Sequence, residues 1–300
     1  MRLGLNLSFA IKRWVEPEIL AVVVKDDLNV SDVQFTWDQV DPWWPENKRN
    51  ELAREYRDSF KNKGIKIHGY FAGSSAYCYP QLLAPSKIQR EIAIEYFKRS
   101  IDTATELGTF IIGSPLGSLS NKDAYNRERR ETIYEETLNN LKDISRYAKE
   151  KGIREIQVEC TPLETEFPST PEEANKFIED INGVSEVPIK LLIDWGHALF
   201  KPLYGENANM IEWLEKCKNN IGAVHIQQTD GNWDRHWDFT KDGIVTKEYI
   251  EKSNSIEELD KCYQFLEVVP IYEDKDENVL VGMRETMKYL NTIFGVGYEK

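Results

Sequence analysis

The sequence predicts one α/β domain, a closed (β/α)₈ or TIM barrel that spans residues 1–300. Short apolar segments rich in β-branched and aromatic residues alternate along the chain with amphipathic helical segments. Eight such strand-like segments fit within 300 residues, which is a normal size for a barrel. The competing dinucleotide-binding fold needs a glycine-rich turn after the first strand, and residues 9–14 contain no glycine.

The eight predicted strands are bounded by Gly, Asp, Asn or Pro, as buried parallel strands usually are. They comprise residues 3–7, 33–37, 65–71, 109–113, 155–159, 189–194, 223–227 and 264–269. The segments around 94–104, 134–148 and 280–294 repeat apolar residues at spacings of three and four, which predicts helices with one apolar face. Another helix is predicted to begin at Thr170-Pro171, with Thr170 as N-cap and Glu173 as the third helical residue.

Composition excludes several classes of function. The formal net charge of −13 argues against nucleic-acid binding, which usually needs a basic surface. No apolar segment is long enough for a membrane span, and the N-terminus resembles a first strand more than a signal peptide. The four widely separated cysteines predict reduced thiols and a cytoplasmic protein. The oligomeric state stays open, with a homo-oligomer as one option.

The last four predicted strands each carry an ionisable residue at or near the carboxyl end. These residues are Glu159, Asp194, His225 and Glu267, and their separations of 35, 31 and 42 residues each correspond to about one strand–helix unit. The chemistry of such barrels lies where strands end and the following loops begin. We therefore expect the four side chains to converge.

Three carboxylates and one imidazole would be costly to bring together without a counter-charge. Each residue alone has an ordinary alternative role, such as an ion pair, a helix cap or a buried hydrogen bond. The set of four instead predicts one divalent metal ion bound by oxygen and nitrogen donors. Mn²⁺ is the expected ion, and Mg²⁺, Co²⁺ and Zn²⁺ are alternatives.

These residues also resemble a known family. The pattern Glu…Asp-x-x-His…His…Glu is similar to that of the xylose isomerase-like barrels, a superfamily that includes ketose 3-epimerases, inosose dehydratases, hydroxypyruvate isomerases and class II AP endonucleases. The segment 194–198 (Asp-Trp-Gly-His-Ala) resembles that family's sixth strand, and the segment 99–108 resembles its third helix and the approach to strand four.

The resemblance implies roles for individual residues. Glu159 and Glu267 match the two glutamates that bind metal in the epimerases and exchange a proton with carbon from opposite faces of the substrate. His197 matches a substrate-binding histidine. Arg235 is a candidate for an arginine that binds substrate after strand seven, although it lies farther from His225 than the epimerase pattern has it.

Further substrate contacts are expected from aromatic and polar residues near the ends of other strands. Trp14, Trp37, Trp43 and His68 belong to the first three strands or to the loops after them, and Gln227 ends the seventh strand. The alternatives are loop packing or a subunit interface for the tryptophans and a buried structural role for His68.

The function predicted first is a metal-dependent isomerase or epimerase that acts on a ketose or keto-sugar derivative through a metal-bound enediolate. The alternative is a lyase or decarboxylase that acts on a keto-sugar, a keto-sugar acid or a glycoside through the same kind of intermediate. Four histidines and an acidic chain argue against the three-zinc AP endonucleases. An intact ligand set argues against a non-catalytic barrel. The expected partner is a small carbohydrate, and its phosphorylation state stays open.

Overall fold

The structure, a computed structural model, describes residues 1–295. Its eight strands are parallel neighbours in chain order and form a closed barrel, so the (β/α)₈ prediction is confirmed. The strands are β1 (Arg2–Asn6), β2 (Asp32–Thr36), β3 (Lys66–Phe71), β4 (Ile111–Ser114), β5 (Glu155–Cys160), β6 (Ile189–Asp194), β7 (Ile221–Ile226) and β8 (Tyr263–Leu266).

The first and last strands pair directly, with Arg2 opposite Tyr263, and this ladder closes the ring. The predicted strands differ from the observed ones by at most three residues at an end. The largest difference is at β8, which was predicted to continue to residue 269 but ends at Leu266. Beyond that point the backbone N–H of Val269 donates to the carbonyl oxygen of His236 at 3.0 Å, so this segment bonds to the loop after β7 instead of extending the strand.

Helices follow the strands, and the longest ones are those that the apolar spacing predicted. They are α1 (Pro17–Val22), α2 (Glu46–Asn62), α3 (Lys87–Leu107), α4 (Asn121–Ala124), α5 (Arg127–Glu150), α6 (Pro171–Asn182), α7 (Trp195–Ala198), α8 (Lys201–Tyr204), α9 (Met210–Cys217), α10 (Lys247–Asn254) and α11 (Asp276–Phe294). The predicted start of α6 is confirmed, because the Thr170 hydroxyl accepts a hydrogen bond from the backbone N–H of Glu173 at 3.2 Å. Within residues 1–295, no helix is both long and apolar enough to cross a membrane.

Two compact units make up the chain. The first comprises Met1–Gln34, Ser59–Lys66 and the described residues from Leu192 onward, and it contains β1, β7 and β8 with their ladders. The second comprises Phe35–Asp58 and Ile67–Leu191, and it contains β4, β5 and the helices α3 to α6. The assignment of residues 1–300 to a single domain stays a prediction.

Glycine is required at one loop of the second unit. Gly117, in the loop after β4, has a φ of +99°, and a Cβ at this position would collide with the carbonyl oxygen of Pro80. Gly152 has a similar φ of +81°, but no atom lies within 4 Å of a Cβ built there. A side chain at either position would therefore introduce backbone strain, but only a side chain at Gly117 would also collide with a neighbouring atom.

We expect Gly152→Ala to lower the free energy of unfolding by about 1–2 kcal/mol, the usual cost of a left-handed residue with a Cβ. Gly117→Ala should lower it by at least about 1 kcal/mol more, because the backbone at Pro80 must also move. Urea unfolding of both variants measures the difference. Equal losses would contradict the steric argument.

Candidate metal centre

The four residues predicted as metal ligands converge in the structure. Asp194 ends β6, His225 is the fifth residue of β7, Glu159 is the fifth residue of β5, and Glu267 follows β8 directly. Each offers one oxygen or nitrogen atom, and these atoms all lie within 4.8 Å of one another. Three of the residues have no exposed surface, and Glu267 is 6% exposed.

Asp194 is both a helix cap and a candidate metal ligand. Its Oδ1 accepts hydrogen bonds from the backbone N–H of His197 at 3.1 Å and from Nε2 of Gln227 at 2.9 Å, so it caps the short helix α7. Its Oδ2 is buried and makes no hydrogen bond. Burial raises the pKa of Asp194, and the nearby carboxylates of Asp234 and Glu267 raise it further against the opposing effect of His197.

His225 and Glu267 face each other. Nδ1 of His225 lies 2.8 Å from Oε2 of Glu267, and Nε2 of His225 lies 2.6 Å from Oε1 of Gln34. The backbone N–H of Glu267 donates to the carbonyl oxygen of Ile226 at 2.9 Å, which holds this residue beside β7 although β8 has ended. Burial opposes ionisation of Glu267, but the imidazoles of His225 and His236 lower the pKa of this carboxyl below its usual value.

Glu159 has a neighbour that the sequence did not indicate. The hydroxyl of Tyr77, in a short helical turn after β3, donates a hydrogen bond to Oε2 of Glu159. The side chain of Tyr77 is 42% exposed, whereas Glu159 has no exposed surface. The phenol therefore connects this buried carboxylate to the protein surface.

A second group of potential ligands consists of His197, Asp234 and His236. Oδ2 of Asp234 lies 3.2 Å from Nε2 of His197 and 2.8 Å from Nε2 of His236. Burial favours the neutral form of His236, but the carboxylates of Asp234, Glu267 and Asp194 outweigh this effect and raise the pKa of His236 to about 10. The two imidazoles hold the pKa of Asp234 well below its usual value, although burial acts in the opposite direction.

Gln227 joins the two groups. Its Nε2 donates to Asp194 at 2.9 Å and to Oδ1 of Asp234 at 2.8 Å, and its Oε1 accepts from the backbone N–H of His236. His236 has a φ of +46°, an uncommon conformation for a residue with a side chain. The amide of Gln227 therefore holds a strained loop residue beside the buried carboxylates.

The other predicted substrate contacts lie elsewhere. Arg235 forms an ion pair with Asp230 at 2.8 Å. Trp37 is fully buried and packs edge-on against Tyr96 and Phe97 of α3, with ring centroids 4.9 and 6.0 Å away. Contacts of Arg235 and Trp37 with substrate stay predictions.

The remaining aromatic candidates occupy more exposed positions. Trp14 is half-buried against Phe9, with ring centroids 5.7 Å apart. Trp43 is 37% exposed and stacks on Tyr96 at 5.3 Å. His68 is half-buried and lies three residues before the end of β3. Their contacts with substrate also stay predictions.

Sequence reasoning missed Asp234, His236 and Tyr77. Asp234 and His236 were a usable signal, because ionisable residues in the loop after a barrel strand are candidates for the site. The sequence interpretation used Arg235, the residue between them, instead. No comparable signal marks Tyr77, whose position depends on the path of a loop.

The residues fit a divalent cation. Asp194 Oδ2 is a buried acceptor without a donor, and such an atom is costly unless a cation or a proton satisfies it. The donor set of carboxylate oxygens and one imidazole nitrogen, without a thiolate, suits Mn²⁺, Mg²⁺, Co²⁺ or Zn²⁺. The geometry therefore supports the prediction that this cluster binds one metal ion.

The family resemblance is confirmed by comparison with known proteins. A profile described as "Xylose isomerase-like TIM barrel" matches residues 27–253, and the chain belongs to that family. The D-erythrulose 1-phosphate 3-epimerase of Brucella abortus (strain 2308) is 21% identical over 244 residues, which cover 80% of this chain and 77% of that protein.

Solved structures show the same fold. A candidate xylose isomerase from Rhodospirillum rubrum is 41% identical, with a TM-score of 0.95 over 97% of this chain and 99% of that chain. A D-psicose 3-epimerase from Clostridium cellulolyticum H10 is 12% identical, with a TM-score of 0.71 over 98% of this chain and 99% of that chain. At 12% identity the second likeness concerns the fold alone.

Metal binding should stabilise the folded chain. At a free Mn²⁺ concentration of one hundred times Kd, we expect the free energy of unfolding to rise by about 2.7 kcal/mol. Asp194→Asn should lose most of this increase, since asparagine keeps the helix cap but carries no charge. Urea unfolding with and without Mn²⁺ measures the effect. Asp123→Asn is the control, because it neutralises a buried aspartate that pairs with Arg129, and it should keep the full Mn²⁺-dependent increase in the free energy of unfolding. The same full increase in Asp194→Asn would contradict the assignment of Asp194 as a ligand.

Proposed function

We propose that this protein is a divalent-metal-dependent epimerase that acts on a ketose or a closely related keto-sugar. The observation that carries the proposal is the buried set of Glu159, Asp194, His225 and Glu267, whose donor atoms lie within 4.8 Å of one another. Two of its members are glutamates from β5 and from the end of β8. Carboxylates in such positions can transfer protons at carbon as well as hold a cation.

The proposed reaction inverts one carbon next to a carbonyl group. A divalent cation bound in the cluster would supply Lewis acidity, which makes the proton on the carbon next to the carbonyl more acidic. One glutamate takes this proton, and the substrate becomes an enediolate. The other glutamate starts protonated and gives its proton to the same carbon from the opposite face, and both carboxyls then return to their starting states by proton exchange with solvent. The reaction has no net change in oxidation state and needs no further reactant.

The relative from Brucella abortus supports this reaction by its name, since it is a 3-epimerase of a ketose phosphate. In a 2-ketose, carbon 3 is next to the carbonyl and carries the proton that the proposed chemistry removes. We therefore propose carbon 3 as the position of epimerisation.

Substrate binding is assigned to the polar residues beside the cluster. His197 is 5% exposed, and Gln227 is fully buried. A cavity of about 430 Å³ borders His236 and is lined by the loops after β7 and β8 and by α11, but neither the four cluster residues nor His197 and Gln227 line it. We propose that His197, Gln227 and His236 bind substrate hydroxyl groups.

Two further assignments belong to the same proposal. Mn²⁺ is the proposed ion, because the donor atoms are mainly oxygens with one imidazole nitrogen. The cytoplasm is the proposed location, because the four cysteines of the chain form no disulfide.

Conversion of each glutamate to glutamine tests the acid–base roles. Glu159→Gln and Glu267→Gln should lower kcat for ketose epimerisation by about 10²-fold or more, since glutamine keeps the shape but cannot exchange the proton. Glu155→Gln changes a carboxylate at the start of the same strand β5 and should keep near-normal kcat. Phosphorylated and unphosphorylated ketoses of four to six carbons are assayed in parallel in D₂O, with metal content measured for each variant.

The deuterium label separates the outcomes. Deuterium at carbon 3 of both epimers, lost in the glutamine variants, supports the proposal. Full activity of both variants with metal bound would remove the acid–base role. A new double bond or released carbon dioxide would instead assign the protein to the lyases or decarboxylases.

A further inference from the structure

A chain of buried hydrogen bonds runs from the end of β1 to His225. In each bond, the group that donates or accepts fixes which atom of the next side chain faces it. Its members are Ser8, Asn6, Gln34 and His225, none more than 3% exposed. They all lie in the first compact unit. Because little water reaches these groups, the donor and acceptor at each step must come from the protein itself.

The first step orients the amide of Asn6. The backbone N–H of Ser8 lies 2.8 Å from Oδ1 of Asn6. A backbone N–H only donates, so the amide oxygen of Asn6 must face it. The hydroxyl of Ser8 donates to the same oxygen at 2.6 Å. This arrangement is an N-cap, because Asn6 precedes a short helical turn, Leu7–Ala10.

The second step orients the amide of Gln34. Asn6 and Gln34 are paired across β1 and β2. With its oxygen directed at Ser8, Asn6 presents Nδ2, a pure donor, and this atom lies 2.7 Å from Oε1 of Gln34. The oxygen end of the Gln34 amide is therefore the end that faces Asn6.

The third step selects one tautomer of His225. Nε2 of His225 lies 2.6 Å from the same Oε1 of Gln34. Because an amide oxygen only accepts, Nε2 must carry a proton. In the neutral imidazole, Nδ1 then has its lone pair directed at Oε2 of Glu267, 2.8 Å away. Two lone pairs at this distance repel unless a cation or a proton lies between them.

We propose that Asn6 and Gln34 are positioning residues for metal binding, because they hold His225 in the Nε2–H tautomer with the Nδ1 lone pair directed at the carboxylates. This inference rests on the proposed role of His225 as a ligand. In the other tautomer, an N–H group would point at the cation and His225 would not bind it. Partners of this kind change metal affinity by about 10–100-fold.

Mn²⁺ titration of the purified full chain, with free Mn²⁺ followed by electron paramagnetic resonance, tests the proposal without an activity assay. Gln34→Leu removes the acceptor and should weaken Mn²⁺ binding by about 10–100-fold. Gln34→Glu keeps an acceptor for both donors and should bind Mn²⁺ within a few-fold of the wild type. Gln157→Leu is the matched control. It removes a buried glutamine of β5 that bonds to Glu155, and it should leave the affinity unchanged.

Asn6→Asp tests the hydrogen-bond chain from its far end, two steps away from His225. Aspartate keeps the cap on Ser8 but presents an oxygen, not a donor, to Gln34. The Gln34 amide should then turn, with Nε2–H towards His225, and favour the wrong tautomer. We expect about 10-fold weaker Mn²⁺ binding, and the added buried carboxylate should also lower the apo-protein melting temperature, so the titration is run at a temperature at which the variant is folded.

The tautomer can also be observed directly in the wild-type chain. Long-range ¹H–¹⁵N correlation spectra of the Zn²⁺-loaded protein, with His225 assigned from the His225→Asn variant, should show a protonated Nε2 and a metal-bound Nδ1. The reverse pattern would overturn the proposal. So would Mn²⁺ binding of Gln34→Leu and Asn6→Asp within threefold of the wild type, provided that His225→Ala is weakened. Unchanged Mn²⁺ binding by His225→Ala would instead contradict the proposed metal site itself.

Discussion

Charge repulsion among buried carboxylates is the constraint on which the rest of the site depends. Glu159, Asp194 and Glu267 bring three acidic groups within 4.8 Å of one another, with almost no exposed surface. Burial raises the pKa of Asp194, whereas nearby imidazoles lower the pKa of Glu267, so adjacent carboxyls are driven in opposite directions. A bound cation removes this conflict, because it stabilises all three charges at once. This is the physical argument for the proposed metal ion, and the proton chemistry proposed for the glutamates rests on it.

The barrel holds the candidate ligands with buried amide groups, and hydrogen bonds fix the orientation of each amide. The amide of Gln227, which follows β7, donates a hydrogen bond to Asp194 at the end of β6. The amide oxygen of Gln34 in β2 lies 2.6 Å from Nε2 of His225. Each of these buried amides would be costly in an apolar core unless its hydrogen bonds were made. The proposed metal site gives a reason for such a buried amide among apolar neighbours, as in Val33-Gln34-Phe35. In β2, the apolar residues Val33 and Phe35 contribute to the buried core, whereas Gln34 between them hydrogen-bonds to residues of the candidate site.

The sequence predicted the parts of this site that depend on strand periodicity. The four ligand candidates lie at strand ends one unit apart, and parallel strands in a closed barrel bring such ends together whatever the loops do. Loop residues follow no such rule. The carboxylate of Asp234 and the imidazole of His236 reach the cluster through a loop in which His236 adopts a positive φ, while Arg235 between them turns to Asp230. Trp37 was expected to contact substrate from the end of the second predicted strand. Its side chain is buried against α3, where neighbouring aromatic rings pack on it. Which way a residue at the edge of a strand turns depends on tertiary contacts that one sequence does not encode locally.

The central claim is that one cation lies among four particular residues. Crystals grown with Mn²⁺ and measured at the manganese absorption edge test this most directly, since anomalous scattering locates the ion independently of any assumption about the ligands. The account predicts one strong peak bound by Glu159, Asp194, His225 and Glu267, with Nδ1 as the nitrogen ligand. A peak only at His197, Asp234 and His236, or none within the cluster at saturating Mn²⁺, would contradict it.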